Sequence, residues 1–166
     1  YVRKGAITHE DSLGNKGRTE AGDVQVMSAG TGIRHSEYNR EDEVTQIFQI
    51  WIIPTSEGDA PQWGAKPFPK DDRAGQFVVL ASGYEEDDDA LPIRTDARVV
   101  GATIPAGETV EYRLGTSRKA YLVPATGKVE IDGQTVDARD GAAISDLEVL
   151  RITAREDSEI VLVDAA

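Results

Sequence analysis

The chain has 166 residues, 39% of them hydrophobic, so it is long enough to bury a core as one domain or as two small ones. It contains no cysteine, which excludes disulfides, thiolate metal sites and cysteine nucleophiles. Its formal net charge of −12 disfavours direct binding to nucleic acid, and because no apolar run is membrane-length and no signal-peptide pattern is present, we expect a cytoplasmic protein that contacts no membrane.

The N-terminal third of the chain predicts short β-strands separated by turns. Residues 2–8 are expected to end one strand, and residues 11–17 to form a hairpin turn, because Asp, Ser, Gly and Asn favour turn geometry. Residues 23–27 alternate apolar and polar side chains, as a half-buried strand does. Residues 44–53 carry apolar side chains on both faces, which predicts a long central strand, buried on both sides, that Pro54 ends.

The rest of the chain predicts a connection followed by a second β-rich region. Residues 55–75 are rich in Pro, Gly and charge, which indicates an irregular connection. The acidic run at residues 84–89 lacks the alternating ligands and the glycine of a calcium loop, so we interpret it as a solvated loop. Short strands at regular spacing, with no long helical period, predict a sandwich or barrel. These strands are expected at 77–81, 97–104, 109–114, 118–123, 128–131, 134–136, 142–144, 147–154 and 159–163.

The residues best suited to metal chemistry lie between the early strands. Residues 28–32 are small and include two glycines, which predicts a tight turn leading into a strand. Because successive side chains of a strand point to opposite faces, His35 and Glu37 are expected to point the same way. One imidazole and one carboxylate then converge, although a mononuclear non-haem iron centre usually has at least three protein ligands.

The segment from Gly22 to Asn39 resembles the second sequence motif of the cupin superfamily, with Ser28 where proline is usual and a slightly longer gap before His35. In detail the chain is similar to the pirin family. The stretches that carry this resemblance are THEDSLGN at 8–15, GDVQVMSAGTGIRHSE at 22–37 and QIFQIWI at 46–52. It is dense over residues 1–54 and weaker beyond, where the order of elements fits the second cupin of a pirin.

The resemblance implies an all-β fold made of cupin (RmlC-like) β-barrels in a bicupin arrangement, with the first barrel incomplete at its N-terminus. Residues 1–58 are then expected to form the remainder of the N-terminal barrel, and residues 59–76 the connecting segment. Residues 77–166 are expected to form a C-terminal cupin-like barrel without metal ligands, since no histidine follows His35.

The resemblance also implies a metal site. Pirins bind one metal through four ligands, two from a His-x-His on an earlier strand and two from a His-x-Glu. His35 and Glu37 match the second pair, so they are the predicted ligands of Fe(II) or another divalent transition metal. Glu37, a ligand able to accept a proton, is also the predicted catalytic residue. The other histidine, His9, matches a hairpin position of the family rather than a ligand, and the His-x-His is expected to lie upstream of Tyr1.

Three functions remain open at this point. The first is a metal-dependent dioxygenase that cleaves a flavonol such as quercetin, a small aromatic substrate, once the upstream His-x-His completes the site. The second is a metal-free cupin binding module without a cofactor, whose exposed barrel edges are covered by a second copy in a homodimer. The third is a regulatory module that acts through a protein partner.

Overall fold

The structure, a computed structural model, describes residues 1–166, and it is almost entirely β, as the strand pattern predicts. It has seventeen strands and one 3₁₀-helical turn, Asp71–Arg73, and no helix is long and apolar enough to cross a membrane. The strands are β1 (Val2–Lys4), β2 (Ala6–Asp11), β3 (Lys16–Glu20), β4 (Val24–Ser28), β5 (His35–Tyr38), β6 (Gln46–Ile47), β7 (Gln62–Lys66), β8 (Val78–Ser82), β9 (Leu91–Pro92), β10 (Ala97–Ile104), β11 (Thr109–Arg113), β12 (Lys119–Thr126), β13 (Lys128–Ile131), β14 (Gln134–Asp137), β15 (Ala142–Ser145), β16 (Val149–Ala154) and β17 (Ser158–Ala165).

The N-terminal strands form three small sheets. Strand β2 is the centre of a three-stranded antiparallel sheet in the order β3-β2-β5. Strand β4 pairs with β7, and β1 pairs with β6. The hairpin between β2 and β3 turns at residues 12–15, where Gly14 adopts a φ of 88° that other residues rarely take. Because β5 pairs antiparallel with β2, two strands that are far apart in the sequence lie side by side.

The C-terminal strands form two larger sheets that enclose an apolar core. One sheet has the order β15-β12-β17-β10-β8-β9 and the other the order β11-β16-β13-β14. Strands β10 and β17 lie in the middle of the first sheet and are nearly continuous apolar runs, as expected for strands covered on both faces. A cluster of fifteen buried residues, all apolar, fills the space between the sheets.

The prediction of a long central strand over residues 44–53 is wrong. Only Gln46–Ile47 form a strand, and that strand pairs only with β1. Residues 48–53 lie outside any strand: Phe48 and Ile52 pack against a buried apolar cluster, whereas Trp51 and Ile53 are each 86% exposed. The apolar run therefore does not have the two buried faces that the prediction required.

The prediction of an irregular connection over residues 55–75 is also only partly correct. Residues Gln62–Lys66 form strand β7, whose five residues pair in register with β4. Trp63 stands opposite Met27 in this pairing and turns its ring towards the β2-β5 sheet, where it stacks on His9. The connection thus contributes both a strand and an aromatic wall to the N-terminal unit.

Arg73, at the end of the helical turn, joins the N-terminal and C-terminal parts of the chain. Its side chain is fully buried, and Nη2 donates a hydrogen bond to the carbonyl oxygen of Gly22 at 2.9 Å. The same nitrogen lies 3.5 Å from Oε1 of Glu159 on β17, while Nη1 lies 3.4 Å from the hydroxyl of Tyr1. Lys70 Nζ lies 2.6 Å from Oε2 of Glu159. One buried cation therefore contacts both parts of the molecule.

The space for this guanidinium comes from a glycine in the neighbouring strand. A Cβ atom at Gly101 of β10 would lie 2.8 Å from Nη1 of Arg73 and 3.0 Å from a methyl group of Leu80. Both distances are shorter than ordinary van der Waals contact, so a side chain at this position would displace the arginine. Gly101 is thus explained by the close approach of Arg73 to the sheet.

Glu159 makes stability depend on pH. Burial raises the pKa of this carboxyl from 4.5 to about 7, even with Lys70 close by. The folded chain then holds the proton more tightly than the unfolded chain, so this residue contributes stability at low pH that is lost as pH rises through about 7. We expect the free energy of unfolding to fall more between about pH 5 and about pH 8 in the wild type than in Glu159→Gln.

Denaturant unfolding at the two pH values measures this difference, with the exposed Glu108→Gln as the control that keeps the wild-type dependence. Parallel curves for the wild type and Glu159→Gln would contradict the expectation. A wild-type stability that rises over the same range would mean that the positive charges of Lys70 and Arg73 outweigh burial.

Candidate metal site

Strands β2 and β5 bring the site together through their register. His9 stands opposite Glu37, and Asp11 stands opposite His35. Directly paired residues of antiparallel strands place their side chains on the same face, and so do residues two apart in one strand. All four side chains therefore share one face of the sheet, including the predicted pair of His35 and Glu37.

The ligand atoms of His9, His35 and Glu37 all lie within 4.8 Å of one another. His35 Nδ1 is 3.7 Å from Oε1 of Glu37, and His9 Nδ1 is 2.6 Å from the same oxygen. Exposure decreases across the group, since the side chains of His35, Glu37 and His9 are 38%, 21% and 0% exposed. The cluster therefore has an accessible side at His35 and a closed side at His9.

Glu37 carries the observation that favours a cation. Its Oε2 atom is buried and has no hydrogen-bond partner, which is costly for a carboxylate oxygen. The ring of His35 makes no hydrogen bond either, so its nitrogens are free to act as ligands. An imidazole nitrogen and a carboxylate oxygen are a donor set suited to a divalent transition metal, so the residues present fit part of such a site.

His9 is the residue whose role the sequence did not reveal. It lies within β2, and both ring nitrogens face carboxylates, Nδ1 that of Glu37 and Nε2 that of Asp11 at 3.0 Å. Trp63 covers one face of the ring, with centroids 4.8 Å apart and planes 5° apart. Residues 9 and 11 have the same two-residue spacing as residues 35 and 37, and this repeated spacing is the feature of the sequence that could have identified His9. No feature of the sequence indicated its contact with Trp63.

Asp11 ties the site to the hairpin. Its carboxylate accepts hydrogen bonds from His9, from the side chain and backbone N–H of Asn15, and from the backbone N–H of Leu13. Loss of solvent would by itself raise the pKa of Asp11, but these hydrogen bonds outweigh it and hold the pKa well below its usual range. Asp11 is therefore a fixed negative charge on the closed side of the cluster.

Comparison with known proteins places this geometry in a family. The family model described as Pirin matches residues 1–52, and that of the quercetinase C-terminal cupin domain matches residues 79–165. A pirin-like protein of Caulobacter vibrioides is 69% identical over 166 residues, covering 100% of this chain and 72% of that protein. The quercetin 2,3-dioxygenase of Escherichia coli K12 is 36% identical over 165 residues, covering 99% of this chain and 70% of that protein.

Solved structures agree with the sequence matches. The crystal structure of the bacterial pirin YhhW from Escherichia coli, in complex with nickel(II), aligns with a TM-score of 0.90 and 34% identity. The alignment covers 99% of this chain and 70% of that one. The cupin fold implied by the sequence motifs is thereby confirmed. With two family models matched along its length and a close relative covered over 72%, the chain belongs to the pirin family.

Proposed function

We propose that this chain carries half of the metal site of a pirin that acts as a dioxygenase on a flavonol such as quercetin. His35 and Glu37 are the ligands, and Fe(II) is the proposed metal. The observation that carries the proposal is the buried Oε2 atom of Glu37, which has no partner and lies beside an imidazole without hydrogen bonds. The nickel(II) complex of the related pirin and the quercetin 2,3-dioxygenase activity named for the Escherichia coli relative support it.

The residues of the site have different proposed roles. The metal, when bound, would supply a centre that brings the hydroxyl groups of the substrate together with dioxygen. His35 serves as a permanent neutral ligand on the accessible side. Glu37 uses Oε2 as a ligand or to accept the proton of a flavonol hydroxyl, while Oε1 stays on His9. Trp63 and the buried ring of His9 close the opposite side and keep water from it.

Two ligands do not complete such a centre, so the remaining ligands are proposed to be a His-x-His supplied from outside these 166 residues. The chain spans about 70% of the length of the relatives described above.

A second candidate function is a metal-free binding module that pairs with another copy through the exposed apolar residues before and after β6. The exposure of Trp51, Ile53 and Val44 favours this candidate.

Metal content separates the two candidates. The full-length protein, which includes the proposed His-x-His, is purified without added metal, incubated with excess Fe(II) under nitrogen, desalted, and assayed for iron per chain and for mass by light scattering. The dioxygenase proposal expects bound iron that His35→Ala removes, and oxygen consumption with quercetin. A protein that retains no iron and runs as a dimer would favour the binding module, and a protein that retains no iron and runs as a monomer would contradict both.

A further inference from the structure

We propose that His9 is a positioning residue and not a metal ligand, although its ring lies within the cluster of potential ligands. Asp11 anchors the ring, and the ring in turn holds Oε1 of Glu37, so that Oε2 is the oxygen presented to the metal. This inference deepens the proposed function and depends on the presence of the metal site.

Asp11 anchors the ring of His9 through Nε2. Both carboxylate oxygens of Asp11 are already engaged by donors of the hairpin, at distances of 2.8 to 3.0 Å from Asn15 and 2.9 Å from the backbone N–H of Leu13. An ionised carboxylate only accepts hydrogen bonds, so the nitrogen of His9 that faces it at 3.0 Å must carry a hydrogen. A ring nitrogen that carries a hydrogen has no lone pair for a metal. Nε2 is therefore excluded as a ligand.

The other nitrogen is engaged by Glu37. Two ligand atoms that each lie about 2.1 Å from one ion are separated by about 3 Å or more in octahedral or tetrahedral geometry. His9 Nδ1 and Glu37 Oε1 are 2.6 Å apart, which is a hydrogen-bond distance, so these two atoms serve as partners of each other and leave Oε2 for the metal. His35 Nδ1 lies 3.7 Å from the same oxygen, beyond hydrogen-bond distance, so this nitrogen is not held in that way.

The ring is prevented from turning to a different arrangement. Its side chain is fully buried and stacks against Trp63, whose Nε1 donates to Oε1 of Gln25 at 3.2 Å. Trp63 in turn occupies the space above Gly17, where a Cβ atom would lie 2.2 Å from the indole ring. The indole, the imidazole and the two carboxylates are thus fixed relative to one another, and Glu37 is held in one orientation before any metal arrives.

The first test observes His9 directly. Because the chain contains only two histidines, the ring nitrogens of both can be followed by ¹⁵N NMR during titration with Zn(II), a diamagnetic probe. We expect a ring nitrogen of His35 to take the shift of a metal-bound nitrogen, while His9 keeps the hydrogen on Nε2 throughout. A metal-bound shift at His9 would overturn this inference and leave the metal site intact. Unchanged spectra for both histidines would overturn the proposed site, and the positioning role with it.

The second test separates hydrogen bonding from packing. His9→Asn keeps an N–H donor near the position of Nδ1 but loses the stacked ring, whereas His9→Phe keeps the ring and loses the donor. Loss of a supporting partner typically weakens metal binding by about 10–100-fold, so we expect that reduction in Zn(II) affinity for His9→Phe and a smaller one for His9→Asn. Glu10→Gln is the control, since its side chain lies on the same strand but pairs with Arg40 at the surface.

Wild-type affinity in His9→Phe would overturn the positioning role, and so would a loss in His9→Asn as large as or larger than that in His9→Phe, which would show that the stacked ring and not the hydrogen bond supports Glu37. Both variants are first compared with the wild type by thermal unfolding. If either fails to fold, the NMR titration of the unaltered chain still decides the question.

Discussion

Replacing Arg73 by methionine is expected to lower the free energy of unfolding by about 3–5 kcal/mol, the usual cost of removing one partner from a buried ion pair. Methionine fills much of the space of the arginine stem, so the loss comes mainly from the guanidinium. Without it the carbonyl oxygen of Gly22 loses its donor, and Glu159 keeps only Lys70. Guanidinium chloride unfolding at about pH 8, where Glu159 is ionised, measures the effect.

The matched control is Arg113→Met, which removes an arginine from an exposed pair. The side chain of Arg113 is 82% exposed and lies 3.8 Å from Glu148. Exposed pairs of this kind contribute about 0–1 kcal/mol, so this variant is expected to stay close to the wild type. Similar losses in the two variants would show that Arg73 does not hold the two parts of the chain together.

Replacing Glu37 by alanine in the full-length protein is expected to abolish stoichiometric binding of a divalent metal. The change removes one of the two ligands proposed in this chain. Loss of a residue that only supports a ligand weakens metal binding by about 10–100-fold, and loss of the ligand itself is expected to cost more. It also leaves Nδ1 of His9 without its partner, while His35 stays in place. Calorimetric titration with Ni(II) or Zn(II) measures the change.

Glu43→Ala is the control for this variant, because it removes an exposed carboxylate whose only ion pair is with Lys4 at 3.4 Å. Its metal affinity is expected to equal that of the wild type. Equal affinity in Glu37→Ala would mean that the metal binds elsewhere on this acidic chain, and the site on β2 and β5 would then be ruled out.

The strands and the convergence of His35 and Glu37 could be predicted because they depend on local spacing. A two-residue alternation fixes which side chains share a face, and turn residues fix where a strand ends. The all-β pattern of residues 97–163 follows from the same rules, and the structure has strands throughout that range. Family resemblance added the cupin arrangement, which short strands alone do not distinguish from other sandwiches and barrels.

What could not be predicted depends on contacts between distant segments. Nothing near His9 in the sequence indicates that Trp63, which lies in the stretch predicted to be irregular, would stack on it. The burial of Arg73 has the same origin, because its partners are 51 and 86 residues away. The prediction for residues 44–53 failed for a related reason, since an apolar run favours burial but does not specify the surface that it would pack against.

The close approach of Arg73 to β10 also has an evolutionary consequence. A side chain at position 101 and the guanidinium at position 73 compete for one volume, because a Cβ atom there would lie 2.8 Å from Nη1. Either change made alone therefore gives a destabilised intermediate: alanine at position 101 crowds the guanidinium, and a smaller residue at position 73 leaves the carbonyl oxygen of Gly22 without its donor. Among related sequences the two positions are expected to covary, with arginine at 73 accompanied by glycine at 101.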